Sequence, residues 1–307
     1  MKDDARIRDD AVRQRAFNFL REETALRGEV LPWAVLSKGF QFEGVRVPLL
    51  GPQGIFKPAA LPEMPLSIAT KPVREGEPRP YNDGLDEHGL LNYRYRGTDP
   101  GHRDNVGLRL AMQRQAPLVY LFGIDKGFYL PVWPVFVVAD NPVDLAFSVA
   151  IDDRRLGAAD AALDQVAEAR RSYVTVLTVR RLHQASFRQR VLNAYRNTCG
   201  ICQLRHRELL EAAHILPDGH PRGEPIVRNG VALCKLHHAA FDAYILGIRP
   251  DHVIEVREDI LREVDGPMLR HGLQEIAGTV LRAPRDERQH PNRDFLAERY
   301  ELFRKAG

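Results

Sequence analysis

Two short pairs of candidate metal ligands constrain this chain more than any other feature. The first pair is Cys199 and Cys202, the second is Cys234 and His237, and two residues separate the members of each. Thiolate sulfur and imidazole nitrogen are the donors that a tetrahedral structural zinc prefers, and this spacing lets one tight turn bring both donors to one ion. The sequence therefore predicts a structural Zn2+ on which folding of the surrounding domain depends. The alternative is a chance CxxC beside a buried cysteine and a surface histidine.

The three cysteines of the chain all belong to this motif. An odd number of cysteines gathered in one short stretch argues against a disulfide framework. The charged amino terminus lacks the apolar segment of a signal peptide, and no run of about 18 apolar residues could span a bilayer. We therefore expect a cytoplasmic protein with no membrane partner.

A second set of polar residues interleaves with the zinc motif, at the ends of two predicted strands and on the helix that follows: His214, Asn229, His238 and Asp242. His238 and Asp242 are four residues apart and share one helix face, whereas His237 points about 100° away. One helix can thus give His237 to a structural zinc and the other two residues to a catalytic cation. Each residue taken alone is typical of a hydrogen-bonded surface position, so the joint arrangement carries the prediction.

The segments CGIC, LLEAAHILP, NGVALC and LHHAAFD, within residues 186–248, resemble the ββα-metal core of the HNH endonuclease family. The resemblance implies that His214 is the general base, which takes a proton from the water that attacks phosphorus. It implies that Asn229 fixes the loop and orients this base. It also implies that His238 and Asp242 bind Mg2+ or Mn2+, which neutralises charge in the transition state.

One position departs from the family pattern. A metal-binding His or Asp often precedes the general base, whereas this chain has Ala213. The cation would then keep waters and phosphate as its other ligands, which Mg2+ tolerates. His220 in the following loop is a substitute ligand or a surface histidine. The departure also leaves open a non-cleaving DNA-binding module with a degenerate HNH core.

The pattern before the nuclease motif indicates a β-rich domain. An amphipathic helix at 10–28 and strand-like alternation at Phe40–Val47 precede a segment, Pro48–Pro80, whose eight prolines exclude helix and central strand. Short strand-like runs with one helix among them then follow: strands at 90–97, 117–124, 129–140 and 145–152, and a helix at 104–115. Such a pattern predicts a compact, partly closed β-barrel with flanking helices.

We therefore expect an α+β protein in three parts. Residues 1–153 form the β-barrel domain, which its resemblance to known DNA readers implies is a PUA-like or sulfur-binding DNA-reading domain. A helical linker occupies 154–184, with an Ala-rich helix at 154–169. The zinc-stabilised ββα-metal nuclease domain occupies 185–307 and begins with a helix that Ser186 caps.

Positive charge is concentrated in one region. The net charge is only +3, from 44 Lys and Arg against 41 Asp and Glu, yet residues 169–207 hold nine arginines and no acidic residue. This block suits a polyanion, although a solvated helical face would look the same. Arg188 and Arg190 are the DNA contacts that we expect here.

Three segments of the first domain interleave aromatic, proline and basic residues: 51–58, 92–109 and 129–138. This suits nucleic acid, although a barrel core with a basic rim has the same composition. Together with the HNH core, the domain resembles the McrA-type modification-dependent restriction endonucleases, which pair a DNA sulfur-binding domain with HNH. The resemblance implies double-stranded, phosphorothioate-modified DNA as the partner, with the sulfur in a shallow apolar pocket beside cationic side chains.

The resemblance maps this pocket to two residue pairs, His102–Arg103 and Trp133–Pro134, with weaker contacts from Tyr93, Lys57 and Arg109. The family has Tyr where this chain has Trp133, so the pocket shape stays open. The nearest alternative is a PUA- or EVE-like reader of 5-methyl- or hydroxymethylcytosine, which needs a deep aromatic cage for a flipped base. Cutting both strands with one site per chain favours a homodimer.

Overall fold

The computed structural model describes residues 2–71, 85, 88–151 and 164–306. The chain forms two compact units, Met1–Leu182 and His183–Gly307. Both units contain helices and strands, which confirms a mixed α and β architecture. Within the described ranges, no helix combines the length and the apolar character that crossing a bilayer requires.

The first unit consists of one large sheet, a small hairpin and helices that cover them. Its helices are α1 (Lys2–Arg27), α2 (Trp33–Lys38), α3 (Arg103–Gln113) and the first part of α4 (Asp164–Ala194). Its strands are β1 (Leu31–Pro32), β2 (Phe40–Phe42), β3 (Val45–Val47), β4 (Ile55–Phe56), β5 (Ser67–Thr70), β6 (Leu91–Arg94), β7 (Leu118–Asp125), β8 (Phe128–Asn141) and β9 (Ala146–Ile151). The predicted first helix, the strand alternation at 40–47, the four later strands and the helix between them are confirmed.

The sheet follows the order β4-β5-β7-β8-β9-β6, with β1 paired to β8. β5 and β7 run parallel, and the other neighbours are antiparallel. No backbone ladder among the described strands joins β4 to β6, so the sheet is open there. We call this gap, between Ile55–Phe56 and Leu91–Arg94, the seam. Tyr93 of β6 reaches across it, and its hydroxyl donates to the Ala69 carbonyl of β5 at 3.3 Å.

Helix α1 packs its apolar face on the sheet. Val12, Ala16 and Leu20 are fully buried, and their spacing of four places them on one face of the helix. Arg13 beside them is also buried, with 1% exposure. Its guanidinium donates to Asp9 at 2.5 Å and to two backbone carbonyls, so the buried charge has the partners that it needs.

One sequence prediction about the proline-rich segment is wrong. Strand β5 lies inside this segment and is a central strand, between β4 and β7. Its four residues contain no proline, because Pro62 and Pro65 precede the strand and Pro72 follows it. Every backbone N–H of the strand is therefore available to the sheet. The number of prolines in the whole segment does not exclude a central strand between two of them.

The predicted helix start at Ser186 is also wrong. Helix α4 runs without a break from Asp164 to Ala194, so Ser186 lies in its interior, where it is buried with 7% exposure. The preceding residues include neither Gly nor Pro, and serine's preference for a cap is too weak to interrupt such a run. Of the Ala-rich helix predicted at 154–169, residues 154–163 lie outside the described residues.

The second unit contains the ββα arrangement that the sequence predicts. Its strands are β10 (Leu210–His214), β11 (Gly230–Cys234), β12 (Leu246–Ile248) and β13 (Ile254–Val256), and its helices are α5 (Lys235–Asp242), α6 (Glu258–Arg262), α7 (Pro267–Gly272) and α8 (Arg293–Ala306). β10 and β11 pair antiparallel, with His214 opposite Gly230. α5 follows β11 directly, and its buried Phe241 packs in one core with Val231 and Leu296 of α8.

Candidate active site and metal centre

The four predicted zinc ligands converge in the second unit. The sulfur atoms of Cys199, Cys202 and Cys234 and a nitrogen of His237 all lie within 4.8 Å of one another. The Cys202 and Cys234 sulfurs are 3.8 Å apart, and the Cys199 sulfur is 3.5 Å from His237 Nδ1. A tetrahedral zinc with bonds of about 2.3 Å to sulfur and about 2.1 Å to nitrogen requires separations of about 3.8 and 3.6 Å. The cluster can hold one metal ion, and its distances fit zinc. The identity of the ion stays a prediction.

Neighbouring groups orient these ligands. His237 Nε2 donates to the Gly272 carbonyl at 2.8 Å, which leaves Nδ1 facing the sulfurs. The Cys234 N–H donates to the Cys199 sulfur at 3.3 Å. Hydrogen bonds from the Cys202 and Cys234 thiols hold the pKa of Cys199 well below its usual range, and the thiolate is the form that binds metal.

His214 lies at the end of β10 against an aromatic ring. Its imidazole stacks on Phe187 of α4, with 3.9 Å between ring centroids and 17° between ring planes. Its Nε2 is buried and has no hydrogen-bond partner among the residues that the structure describes. Of the two ring nitrogens, only Nδ1 can therefore contact solvent water. Burial lowers the pKa of His214, which favours the neutral ring that a general base requires.

Asn229 fastens the loop that follows His214. Its side chain is fully buried; Oδ1 accepts from the Leu216 N–H at 2.9 Å, and Nδ2 donates to the carbonyls of Leu216 and Glu224 at 3.0 and 3.1 Å. Its own carbonyl accepts from the Ile215 N–H at 2.9 Å. Asn229 thus holds both the residue after His214 and the far side of the loop, as the orienting role requires.

His238 and Asp242 form a pair on α5, where His238 Nε2 lies 3.2 Å from Asp242 Oδ2. Neighbouring ligand atoms in an octahedral Mg2+ site, with bonds of about 2.1 Å, are about 3 Å apart. The two atoms therefore fit adjacent positions around one divalent cation. Within the described residues, only the zinc cluster groups three or more candidate ligands, so waters and phosphate would complete this second site.

Sequence reasoning missed two residues that hold this pair. Glu211 of β10 lies 2.6 Å from His238 Nδ1, and the hydrogen bonds that His238 donates to Asp242 and to Glu211 raise its pKa. Arg299 of α8 donates to Asp242 Oδ1 at 3.1 Å and to the Phe241 carbonyl at 3.0 Å. Glu211 stands three positions before His214 in the HNH-like segment and could have been noticed. Arg299 is 57 positions from Asp242, and no spacing rule points to it.

Other predicted residues of the second unit have structural partners. His220 Nε2 lies 3.0 Å from Glu298 of α8, on a carboxylate instead of beside His238. Arg188 donates to the Leu210 carbonyl at 2.8 Å, and Arg190 donates to the Pro225 carbonyl at 2.6 Å. Arg188 thus holds the start of β10 and Arg190 holds the loop at Pro225, and their contact with DNA stays a prediction.

The structure does not bring together the two residue pairs of the expected sulfur pocket. His102 caps the start of α3, where its Nδ1 accepts from the Asp104 N–H at 3.2 Å, and Arg103 is 79% exposed. Trp133 and Pro134 precede Val135, which pairs with Leu118, just beyond the other end of α3. The first pair thus belongs to the start of α3 and the second to β8.

The three weaker candidates have different environments. Tyr93 is buried at the seam. Lys57 is exposed, and its ammonium donates to the Pro62 carbonyl at 2.6 Å. Arg109 donates to Asp140 at 2.6 Å and to the Tyr95 hydroxyl at 3.2 Å, so its guanidinium holds α3 to β8.

Residues 199–249 match the family model described as HNH endonuclease. The match spans both zinc-ligand pairs, His214, Asn229 and the pair on α5. The chain therefore carries an HNH endonuclease domain and is a DNA-cleaving, metal-dependent nuclease, which disfavours the non-cleaving alternative. Arg299 lies outside the matched segment, so the site uses a side chain that the family model does not cover.

A solved structure entitled "Modification dependent TagI restriction endonuclease" is similar to the chain at 16% identity, over 78% of this chain and 82% of that chain. The TM-score is 0.29, which does not establish a shared fold. No curated protein matches the chain significantly.

Proposed function

We propose that this nuclease is a restriction endonuclease that cleaves double-stranded DNA carrying phosphorothioate linkages. In this proposal residues 1–153 read the modification as a PUA-like or sulfur-binding barrel, 154–184 link the domains, and 185–307 cut. The observation that carries the catalytic part is the half-buried imidazole of His214, which stacks on Phe187 at the end of β10, in the same ββα arrangement as the His238–Asp242 pair of α5. Such an enzyme would meet its DNA in the cytoplasm, and a homodimer would supply one site for each strand.

The side chains of the site have distinct tasks in the hydrolysis. In this proposal the neutral His214 ring carries its proton on Nε2, and Nδ1 accepts a proton as the water oxygen bonds to phosphorus. The P–O3′ bond breaks, and the leaving 3′ oxygen takes a proton from solvent water. Phe187 fixes the ring plane, and Asn229 fixes the loop behind it. His238 Nε2 and Asp242 Oδ2 would hold Mg2+ or Mn2+, which supplies neutralisation of the phosphate charge when bound.

Two flanking residues aim these ligand atoms. Glu211 accepts a hydrogen bond from His238 Nδ1, so Nε2 is the nitrogen that can bind the cation. Arg299 donates a hydrogen bond to Asp242 Oδ1, so Oδ2 is the oxygen that can bind it. Ala213 offers no further ligand, so the cation site has two protein ligands and keeps open positions for water and the phosphate.

The surroundings of Trp133 support the proposal that the first unit recognises phosphorothioate. A cavity of about 410 Å3 lies beside Trp133, with apolar walls from Leu130 and Val132; its one cationic side chain, Arg181, is paired with Glu29, which also lines the cavity. Sulfur is larger and less strongly hydrated than oxygen, so the apolar wall would favour it, and Arg181 would exchange Glu29 for the phosphorothioate. His102 and Arg103, at the other end of α3, would then contact a different part of the DNA backbone.

A second candidate is a nuclease that depends on 5-methyl- or hydroxymethylcytosine. A reader of this kind needs a cavity for a flipped base. The first unit contains a cavity of about 300 Å3 at the seam, and this observation favours the candidate.

Cleavage of three matched duplexes tests the proposal: unmodified, 5-methylcytosine-containing, and Rp-phosphorothioate in several base contexts. Each is incubated with Mg2+ or Mn2+, beside the His214→Ala variant. We expect cleavage of the phosphorothioate duplex alone and none by the variant, which keeps its DNA affinity. Cleavage of only the methylated duplex would replace the sulfur reading with the second candidate.

A further inference from the structure

Two of the segments that the sequence singles out in the first unit meet at one cavity. The first half of GPQGIFKP (51–58) and the YRYRG part of 92–109 line a space of about 300 Å3 at the seam, together with the end of β5. The residues that matter most are Gly54, Ala69, Lys71, Tyr93, Arg94 and Arg96. This volume is at the lower end of ligand pockets, about 300–1,000 Å3, and suits one small ligand.

The charge of this seam cavity favours an anion. Its lining contains three cationic side chains and no acidic one. Lys71 and Arg94 are exposed, and no carboxylate in the described part of the chain pairs with either. Arg96 is neutralised in part by Asp104, at 2.8 Å. Two unpaired cations at the rim of a small cavity attract a group such as a phosphate.

One wall of the cavity carries little side-chain volume. On one side Gly54 and Ala69 present only backbone and a methyl group. A Cβ at Gly54 would lie 3.1 Å from the Tyr93 hydroxyl and 3.2 Å from the Ala69 carbonyl oxygen, so a larger residue here would enter the cavity or displace its wall. Tyr93, which is buried, closes the inner end.

Unpaired strand edges supply hydrogen-bonding groups at the same place. Among the described strands, β4 pairs with β5 alone, and β6 pairs with β9 alone apart from a bridge at Leu91. The other edge of each strand borders the seam. Backbone N–H and C=O groups on such edges can bind the polar edge of a planar ligand.

We propose that the seam cavity binds one nucleotide of the DNA substrate, with the base in the cavity and a flanking phosphate on Lys71 and Arg94. This inference rests on the proposed DNA function, and it holds for either modification. A planar base fits the space that Gly54 and Ala69 leave and can bind the backbone groups, whereas the phosphate can bind the two rim cations. A base reaches such a cavity only when it leaves the duplex stack.

The test uses the full chain with His214→Ala, which prevents cleavage, and the three duplexes with 2-aminopurine beside the modification. Gly54→Val fills the cavity without changing charge, and Arg94→Ala removes a rim cation without touching the core. Arg21→Ala removes an exposed charge from α1 and is the matched control. Fluorescence reports unstacking, DNA affinity is measured over a range of salt, and deoxycytidine monophosphate is the free-nucleotide probe.

We expect 2-aminopurine fluorescence to rise several-fold on binding and the rise to disappear in Gly54→Val. Arg94→Ala should lower the slope of log affinity against log salt by about 0.9, the value for one phosphate contact, whereas Arg21→Ala should not. A duplex that binds without a fluorescence rise, with equal affinity for Gly54→Val and its parent, would overturn the nucleotide site and leave the DNA function standing. Deoxycytidine monophosphate binding as tightly as the duplex would assign the cavity to a free nucleotide instead. If no duplex binds or is cut, the proposed function falls, and this inference falls with it.

Discussion

At the scale of single residues, the chemistry of the site depends on what surrounds His214. A histidine in water titrates near pH 6.5, which would leave part of the base protonated under mildly acidic conditions. Burial, to which the stacked Phe187 ring contributes by covering one face of the imidazole, disfavours the charged form, so the pKa of His214 is lowered. Because a general base works when neutral, this lowering extends activity toward lower pH.

We therefore predict that the acid limb of the cleavage profile lies below pH 6.5, the ordinary histidine value. Phe187→Leu keeps an apolar side chain but opens the ring to water, which should raise the pKa of His214 and move the limb to higher pH. The measurement is kcat/KM against pH at saturating metal, so that protonation of His238 does not contribute. Phe303→Leu, another buried aromatic of the second unit, is the control; an acid limb that moves equally in both variants would contradict the assignment.

Arg299 provides the second prediction at this scale. Its guanidinium is 6% exposed and holds one oxygen of Asp242. Arg299→Gln should release this carboxylate and weaken Mn2+ binding by about 10–100-fold, the usual cost of losing an outer partner of a ligand. Arg299→Lys should recover part of the loss. Calorimetric Mn2+ titration measures the effect, and thermal melting verifies the fold.

Arg304→Gln, on the same helix but exposed, is the matched control and should bind Mn2+ as the unaltered chain does. If Arg299→Gln binds the ion as well as the unaltered chain, Arg299 serves the fold alone and does not position Asp242.

How much of the site the sequence predicts depends on how local each interaction is. The zinc ligands lie in two short motifs, and the pair on α5 follows helical periodicity, so spacing was enough to find them. Arg299 contributes only because α8 folds back on α5, which no local pattern encodes. The two pairs of the expected sulfur pocket, His102–Arg103 and Trp133–Pro134, lie on different elements, the start of α3 and β8, and their common role stays a prediction.

At the scale of elements, the zinc cluster connects the turn after α4 with the junction of β11 and α5. Removing the ion would leave three sulfur ligands and one imidazole close together without a common partner. Structural zinc contributes about 10 kcal/mol or more to folding in small domains. Each unit has its own apolar core, and we expect the predicted metal to add to the stability of the second unit.

We predict that a strong chelator unfolds the second unit and leaves the first unit folded. Calorimetry should show one melting transition lost and one retained, and added Zn2+ should restore the lost one. Cys202→Ser should behave like the chelated protein but fail to recover with Zn2+; Cys202 is exposed, so this change leaves no core cavity. Loss of both transitions together would show that the two units fold as one.

Helix α4 carries the next prediction, since Ser186 lies inside it. Proline in a helix interior removes a hydrogen bond and clashes with the preceding turn, at a cost of about 3 kcal/mol or more. Ser186→Pro should lower the free energy of unfolding by that amount. Ser186→Ala should have a small effect, whereas removing a true cap would cost about 1 kcal/mol. Urea denaturation of both variants distinguishes a continuous helix from one that starts at Ser186.

Elements with strong periodicity were predictable, and elements defined by their neighbours were not. The strands β7, β8 and β9 show sustained apolar runs between turn residues, and their positions followed from the sequence. Strand β5 has only four residues between prolines, and its pairing with the distant β7 decides its state. The absence of a break at Ser186 likewise depends on packing, because Phe187 and Val191 are buried along the same helix.

At the scale of the whole molecule, reading and cutting are assigned to different units. If Trp133 contacts the modification and Arg299 positions a metal ligand, the two residues act on different steps. Trp133 should affect how tightly the target binds, and Arg299 should affect the rate after binding. Residues that share no partner usually contribute additively, within about 0.5 kcal/mol.

We predict that Trp133→Ala raises KM for phosphorothioate DNA about tenfold and leaves kcat nearly unchanged, as expected for loss of one apolar contact that is equal in the bound and transition states. Arg299→Lys should lower kcat at subsaturating metal, and the double variant should show the product of both effects on kcat/KM. Trp33→Ala, at the other tryptophan of the chain, which is 47% exposed on α2, controls for removing an indole. A residue that serves binding alone cannot change the rate of the bound complex. A fall in kcat for Trp133→Ala at saturating DNA would therefore mean that the first unit takes part in assembling the catalytic site. Strong non-additivity in the double variant would mean the same.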